Sequence, residues 1–409
     1  MAGLEKRDLP SLDAVADPDA PLDAPREEII EDGDASDEAD AQDDGEVPPD
    51  VLAGASRVSA GASHSCAVLA DGRVLCWGGN RDGQLGDGTT TDSAAAVAVP
   101  GLTSATSVAA GRFHTCAGLG SGGAACWGRD SDGQLGNGNF TGSVSPVTVS
   151  SLDETVSSLS STSRHACVAA ADGGSPRIAC WGWNEYGQLG DGSRESRCVP
   201  VDVSGTGSAV AGVSAGGGHT CAVDFAGSLR CWGWNFYGQL GDGTVLDKYV
   251  ATAATLPETA LSVACGGRHT CVLLVSGNVM CWGDNDGGQL GSEEVATSSV
   301  PIAVGGLPGA ASALAAGDGH TCALTASGGV LCWGANDRGQ LGDGTTSGRS
   351  APAAVEGLAE AVLGISAGED HTCALLGTGH VACWGANGSG QLGDGSTQDA
   401  SVPVLVVVR

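Results

Sequence analysis

The chain has 409 residues, 68 of them glycine and 16 cysteine, with only 4% aromatic side chains and a net charge of −30. That acidic balance, without any run of lysine or arginine, leaves no footprint for nucleic-acid phosphates. No stretch approaches the roughly 18 consecutive apolar residues of a membrane-spanning helix. The expected chain is therefore neither a nucleic-acid binder nor a membrane-spanning protein.

The first fifty residues hold 18 acidic residues against Lys6, Arg7 and Arg26, which gives −15, half of the total. Segments such as Asp32-Gly33-Asp34-Ala35-Ser36-Asp37-Glu38 have too few apolar groups to offset the entropy of ordering. Residues 1–52 are read as a disordered acidic tail or linker, and 53–409 as the folded domain. Met1–Arg7 is followed by no apolar core, so no export signal is visible.

From residue 53 one cassette returns seven times: a histidine, a cysteine two residues on, a hairpin-length gap, Cys-Trp-Gly, then Gly-Gln-Leu-Gly. The histidines are His64, His114, His165, His219, His269, His320 and His371, spaced 50, 51, 54, 50, 51 and 51 residues apart. A period of this length made of short strands points to propeller blades. In the first copy Cys66-Ala67-Val68-Leu69 and Val74-Leu75-Cys76-Trp77 flank an Asp71-Gly72 turn, which reads as a hairpin. Alternation puts Cys66, Val68, Val74 and Cys76 on one face and Ala67, Leu69, Leu75 and Trp77 on the other. Both faces are apolar, so each sheet must be sandwiched between neighbours.

Extended segments such as Ser299–Val304 run between copies. The first copy enters without one and the chain ends on an orphan, Ser401–Val408. The C-terminal strand is therefore expected to complete the first blade and close the ring, removing two unpaired edges.

These motifs, Gly-x-x-His-Thr-Cys-Ala-Leu followed by Trp-Gly-x-Asn-x-x-Gly-Gln-Leu-Gly, resemble the regulator-of-chromosome-condensation (alpha-tubulin suppressor-like) repeat. The resemblance covers residue 53 to the C-terminus and implies a seven-bladed all-β propeller of four-stranded blades, here of bacterial type. The family's eponymous activity, guanine-nucleotide exchange on a small GTPase, is kept as an alternative although no long insertion forms a wedge, and its chromatin binding finds no basic tail to grip phosphates. A secreted bacterial propeller of similar repeats inhibits β-lactamases, which makes inhibition of a secreted hydrolase a further alternative.

Fourteen cysteines fall in seven pairs: Cys66/Cys76, Cys116/Cys126, Cys167/Cys180, Cys221/Cys231, Cys271/Cys281, Cys322/Cys332 and Cys373/Cys383. In six copies nine residues intervene, which sets the two cysteines opposite each other on adjacent strands. The third copy carries a longer turn, Ala171–Pro176, and keeps the strands facing. Disulfides are the favoured reading; buried thiols filling the core, or His-x-Cys metal sites, are the alternatives. Disulfides place the chain in an oxidising compartment, extracellular or at the cell envelope, with a leader or anchor missing from the sequence; reduced thiols would place it in the cytoplasm. Cys198 and Cys265 lie outside the pattern.

No catalytic constellation stands out, because each histidine, and each of Gln84, Gln134, Gln188, Gln239, Gln289, Gln340 and Gln391, repeats seven-fold and reads as structural hydrogen bonding. His380 is the one histidine outside the pattern and alone supports no mechanism. No cofactor, metal site or enzymatic activity is expected, and the expected state is a monomer.

The segments between Trp-Gly and Gly-Gln-Leu-Gly differ most between copies, and two adjacent ones are aromatic: Trp183, Tyr186, Trp234, Phe236 and Tyr237. They are expected to form one patch with Arg129 and Asp284 at its rim, on which a protein or glycan partner binds. Exposure is expected for Tyr186, Phe236 and Tyr237. Packing between blades and exposure are both open for Trp183 and Trp234.

Overall fold

A computed structural model describes residues 50–409 apart from 172–175 and 208–209, so residues 1–49 of the acidic tail and the tip of the third hairpin lie outside the described residues, whereas Asp50–Leu52, read as the end of that tail, belong to the propeller. The chain divides into two units, Met1–Pro48 and Pro49–Arg409. The second is a seven-bladed propeller, each blade a four-stranded antiparallel sheet with strands in chain order. The blades span residues 55–98, 105–148, 155–202, 210–253, 260–303, 311–354 and 362–405.

The apolar alternation of the hairpins explains the radial stacking. In blade one Cys66, Val68, Val74 and Cys76 pack with Ala117, Ala125 and Trp127 of blade two. The opposite face, Ala67, Leu69, Leu75 and Trp77, packs with Cys373, Leu375, Val381 and Cys383 of blade seven. All seven hairpin tryptophans are fully buried.

The paired cysteines lie directly opposite one another on neighbouring strands. Cys66 faces Cys76, Cys116 faces Cys126, Cys271 faces Cys281 and Cys322 faces Cys332. Cys221 faces Cys231 and Cys373 faces Cys383, and the longer third hairpin still sets Cys167 opposite Cys180. All seven pairs are disulfides, with Cα atoms 4.0–4.1 Å apart. Among the alternatives, free thiols filling the core and His-x-Cys metal sites both give way, because every one of these sulfurs is committed to its partner.

One expectation about strand order is corrected. The extended segment after each cassette is the outer strand of that same blade, not of the next: Thr297–Ala303 pairs with the Val279–Asp284 strand of blade five. Blade one is thus complete with Ser93–Ala98, and Ala400–Leu405 is the outer strand of blade seven. A cyclic repeat reads the same from any starting point, and pairing within contiguous hairpins needs the shorter loop closures.

The C-terminus still takes part in closing the ring, through the residues just beyond that strand. Val406–Arg409 runs between Asp50–Leu52 and blade one: Leu52 N–H donates to the Val406 carbonyl and Ala96 N–H to the Val407 carbonyl, both at 2.8 Å. Val408 N–H donates to the Asp50 carbonyl at 2.8 Å. Leu52 and Val406 are fully buried in this junction.

The repeated polar residues weld blade to blade. Each hairpin tryptophan donates its indole N–H to the main-chain carbonyl of the preceding blade's Gly-Gln-Leu-Gly glutamine, for example Trp127 to Gln84 and, across the closure, Trp77 to Gln391, both at 2.9 Å. Each cassette histidine reaches a hydroxyl of the following blade: His64 meets Thr115 at 2.8 Å and His371 closes the circle on Ser65 at 2.8 Å. Thr115 in turn donates to the Gln84 carbonyl. Its single proton is therefore spent, so the hydroxyl accepts from the imidazole and Nε2 carries the proton. Nδ1 is left buried and bare in all seven rings.

Candidate functional site

The inner strands of all seven blades line an axial channel of about 200 Å³, mainly with Ala and Ser. The cassette histidines are wholly buried behind it. Burial, reinforced in most rings by neighbouring histidines, holds them at about 3 to 4, so they are neutral inter-blade struts. The half-cystines are sealed away as well. Cys126 and Cys281, like Cys332, have no exposed surface, nor do Cys116, Cys271, Cys322 and the other eight, so the bridges are core cross-links that no partner touches. The surface chemistry lies where each blade presents two adjacent residues, the one before the histidine and the one after Trp-Gly.

These two positions are tied together in each blade. Trp183 N–H donates to the Arg164 carbonyl and Trp234 N–H to the Gly218 carbonyl, both at 2.9 Å. The loop that follows is anchored by a buried asparagine. Asn184 accepts from Leu189 N–H at 2.9 Å and donates to the Glu195 carbonyl at 3.1 Å; Asn235 makes the same bonds to Leu240 and Leu246. The aromatic side chains therefore stand on a rigid base.

All five predicted aromatics meet in one ladder. Trp183 and Tyr186 contact edge to face at 5.3 Å, and Tyr186 stacks on Trp234 at 5.6 Å. Tyr237 meets Trp234 at 5.5 Å and Phe236 at 5.1 Å, both edge to face. Such offsets suit the ring quadrupoles. Gly218 makes room: a Cβ there would come within 3.2 Å of Trp234 and 3.6 Å of Tyr186. Where blade two has Phe113 and blade three Arg164, blade four has no side chain, and its tryptophan lies over the gap.

Phe236 is 49% exposed, whereas Trp183, Tyr186, Trp234 and Tyr237 are half-buried. The two tyrosines are thus more enclosed than expected, because each ring is flanked by a tryptophan. Desolvation, with the Glu185 and Asp247 carboxylates nearby, raises the Tyr186 phenol above its ordinary value.

The rim differs from expectation. Asp284 is 4% exposed and its carboxylate accepts from the Gln289 side-chain amide at 3.3 Å, so it faces inward. Arg129 packs over Phe113 at 5.3 Å. The guanidinium groups that flank the ladder are Arg164, 5.8 Å over Trp183, and Arg268, 5.6 Å over Tyr237. Sequence reasoning missed both because they precede the cassette histidines, in the bends that lead into the next strand. Val245 and Leu246, 58% and 65% exposed in the loop held by Asn235, extend the apolar surface outward.

Cys198 is partly exposed and Cys265 is buried; neither is paired. Burial pushes the Cys265 thiol up to about 12. Its ligand atom lies within 4.8 Å of those of His219 and Cys221, but Cys221 is bonded to Cys231 and its sulfur is committed. Among the described residues no helix is long and apolar enough to cross a membrane.

The geometry agrees with comparisons to known proteins. The family model for the RCC1-like domain matches residues 33–313, and models for the regulator of chromosome condensation repeat match 327–375 and 378–408. The ultraviolet-B receptor UVR8 of Arabidopsis thaliana is 34% identical over 86% of this chain and 57% of its own length. The probable E3 ubiquitin-protein ligase HERC4 of Homo sapiens is 34% identical over 56% of this chain and 17% of its own length. The chain thus accounts for only part of each of these relatives. Among solved structures, human WBSCR16 superposes with a TM-score of 0.71 at 24% identity, covering 82% of this chain and 94% of that one. Prp20p of Saccharomyces cerevisiae gives 0.73 at 21% identity, with 83% and 87% covered. With seven tryptophan-to-glutamine and seven histidine-to-hydroxyl links in place, the chain belongs to the regulator of chromosome condensation (RCC1) repeat family.

Proposed function

We propose that this chain is a non-enzymatic docking propeller of an oxidising compartment, extracellular or at the cell envelope. The acidic segment ahead of Asp50 serves as its connector, and a protein or glycan partner is held on the loop face of blades three and four. The observation that carries the reading is the continuous five-ring ladder from Trp183 to Phe236, flanked by Arg164 and Arg268. Aromatic and arginine side chains dominate binding energy where they are rigidly presented, and here the asparagine knots supply the rigidity. Seven disulfides support the compartment, since such bonds persist where thiols are not kept reduced. The named relatives are a photoreceptor and a ubiquitin ligase, and their activities are not carried over to a chain that matches only part of each.

The test is photocrosslinking from a benzophenone amino acid placed at Phe236, with Phe225 as control. Phe225 is 72% exposed and lies at the tip of a blade-four hairpin, at the end of the strands opposite the ladder. In the native cells a discrete adduct is expected from position 236 and none from 225, and combining it with Tyr186→Ala and Tyr237→Ala should remove it. Adducts from both positions alike, or from neither, would defeat the reading.

A further inference from the structure

Blade two departs from its sisters at a residue with no exposed surface to spare. In blades one, three, four, six and seven the residue after Trp-Gly-x is asparagine, and seven residues later comes aspartate: Asn80 and Asp87 in blade one. The asparagine Oδ1 accepts from a leucine N–H, and its Nδ2 sits among four oxygens, 2.9 to 3.4 Å away across these blades. Blade two reverses the pair, with Asp130 in place of the asparagine and Asn137 in place of the aspartate.

The loop keeps its shape. Asp130 Oδ1 accepts from Leu135 N–H at 2.9 Å, as Asn80 Oδ1 does from Leu85. Asn137 Oδ1 accepts from Asn139 N–H at 3.2 Å, and Asn139 Oδ1 from Thr141 N–H at 2.7 Å. What changes is the chemistry at the centre. Where the sisters place an N–H₂ donor among the carbonyls nine and eleven residues on, blade two has a carboxylate oxygen in that side-chain position, with Asn139 and Thr141 nine and eleven residues on. Asp130 is 1% exposed and its Oδ2 is buried without a hydrogen-bond partner.

We propose that this oxygen-lined knot, formed by Asp130, Asn137, Asn139 and Thr141, binds a calcium ion. Oxygens that share a cation at about 2.4 Å lie roughly 3.4 Å apart when the ligands are at right angles, close to the separations the sister loops hold around their amide nitrogen. The donor set is hard: one carboxylate, an amide oxygen and main-chain carbonyls, which suits calcium and offers nothing to softer metals. Burial disfavours the charged form of the Asp130 carboxyl, whose one hydrogen bond comes from Leu135 N–H. A cation in the knot removes that penalty and makes the carboxylate a ligand. Exposed to solvent with millimolar calcium, a site with a single carboxylate falls in the weak range of extracellular modules, with dissociation constants of about 10⁻⁴ to 10⁻³ M.

The test uses the full disulfide-bonded chain and the variant Asp130→Asn, which restores the amide of the sister loops. The acidic tail is identical in both, so its diffuse cation binding cancels. In chelator the variant should melt several degrees above the native protein. Millimolar calcium should raise the native melting temperature and close that gap, while magnesium, which dehydrates reluctantly, should do much less. Equal calcium responses in the two proteins would overturn the proposal. So would a gap that closes on lowering the pH but not on adding calcium, since a proton, or a turned Asn137 amide, would then fill the place.

Discussion

Seven neutral histidines sealed between blades make this propeller sensitive to acid to a degree that can be worked out. In the folded ring they protonate only at about 3 to 4, burial being the main cause and the charge of adjacent rings the next. Unfolded, each returns to about 6.5. A depressed folded value means that stability is fully present above the unfolded value and is lost as pH falls below it. At pH about 5.5 an unfolded histidine is roughly nine-tenths protonated, which favours the unfolded chain by about 1.4 kcal/mol per ring. Seven rings together give about 10 kcal/mol, comparable with the whole stability of many domains.

Buried and half-buried carboxyls act in the opposite direction. Desolvation raises Asp130, Asp247, Asp284 and Asp370, so these take up protons in the folded state and return part of the loss. Guanidinium unfolding followed by tryptophan fluorescence between pH about 7.5 and 5.5 measures the difference directly. A fall of several kcal/mol is expected, with a slope near pH 5.5 that corresponds to about six protons bound on unfolding. A change under about 2 kcal/mol would refute the assignment of these histidines as buried and neutral.

Two glycines of one turn should separate strain from crowding. Gly88 has φ +87° with nothing near a would-be Cβ, and Gly88→Ala should cost about 1 kcal/mol in a melt. Gly86 has φ +71° and its Cβ would lie 2.6 Å from the Trp127 indole, so Gly86→Ala should cost about 1–3 kcal/mol more; equal losses would deny the inter-blade contact. Alkylation without reductant should find two thiols in the denatured protein, Cys198 and Cys265, of which only the partly exposed Cys198 reacts in the native state. All 16 cysteines reacting as free thiols would remove the disulfides and, with them, the oxidising compartment.

The blade count, the hairpins and the cysteine pairs were legible in the sequence because each rests on spacing repeated seven times. Cys126, Cys281 and Cys332 could each be matched to a partner by that spacing alone, since a tight antiparallel hairpin leaves one register in which the two sulfurs meet. Which strand belongs to which blade was not legible, because a ring of repeats carries no mark of where one unit starts; only the register of Ser93–Ala98 against blade one decides it. The ladder was legible as composition, two neighbouring copies rich in aromatics. Its flanking arginines were not, since Arg164 and Arg268 lie in the bends before the cassette histidines: Arg164 comes beside Trp183 through the hairpin pairing of its own blade, and Arg268 comes beside Tyr237 only through the packing of blade five on blade four. Asp284 misled for a different reason: its position looked like a loop tip, but it ends a strand and the Gln289 amide draws it inward.

The hydroxyl relay has one irregular joint, and it allows a test of the relay itself. In six blades the residue after the histidine is Thr or Ser; in blade three it is Ala166, fully buried and without a hydroxyl. His114 therefore takes its bond from elsewhere, 2.7 Å from Ser161 at the end of the inner strand. Ser161→Ala strands the His114 Nε2 in the core and should cost about 1–3 kcal/mol. Adding Ala166→Thr supplies a hydroxyl where the other blades keep theirs, with the Gln134 carbonyl, already the acceptor for Trp181, placed as Gln84 is for Thr115. The double variant should regain most of the loss, and the coupling between the two substitutions should exceed about 0.5 kcal/mol, beyond what independent sites show. Additive losses would mean that the imidazole does not need the hydroxyl at all, and the ring of seven struts would reduce to packing.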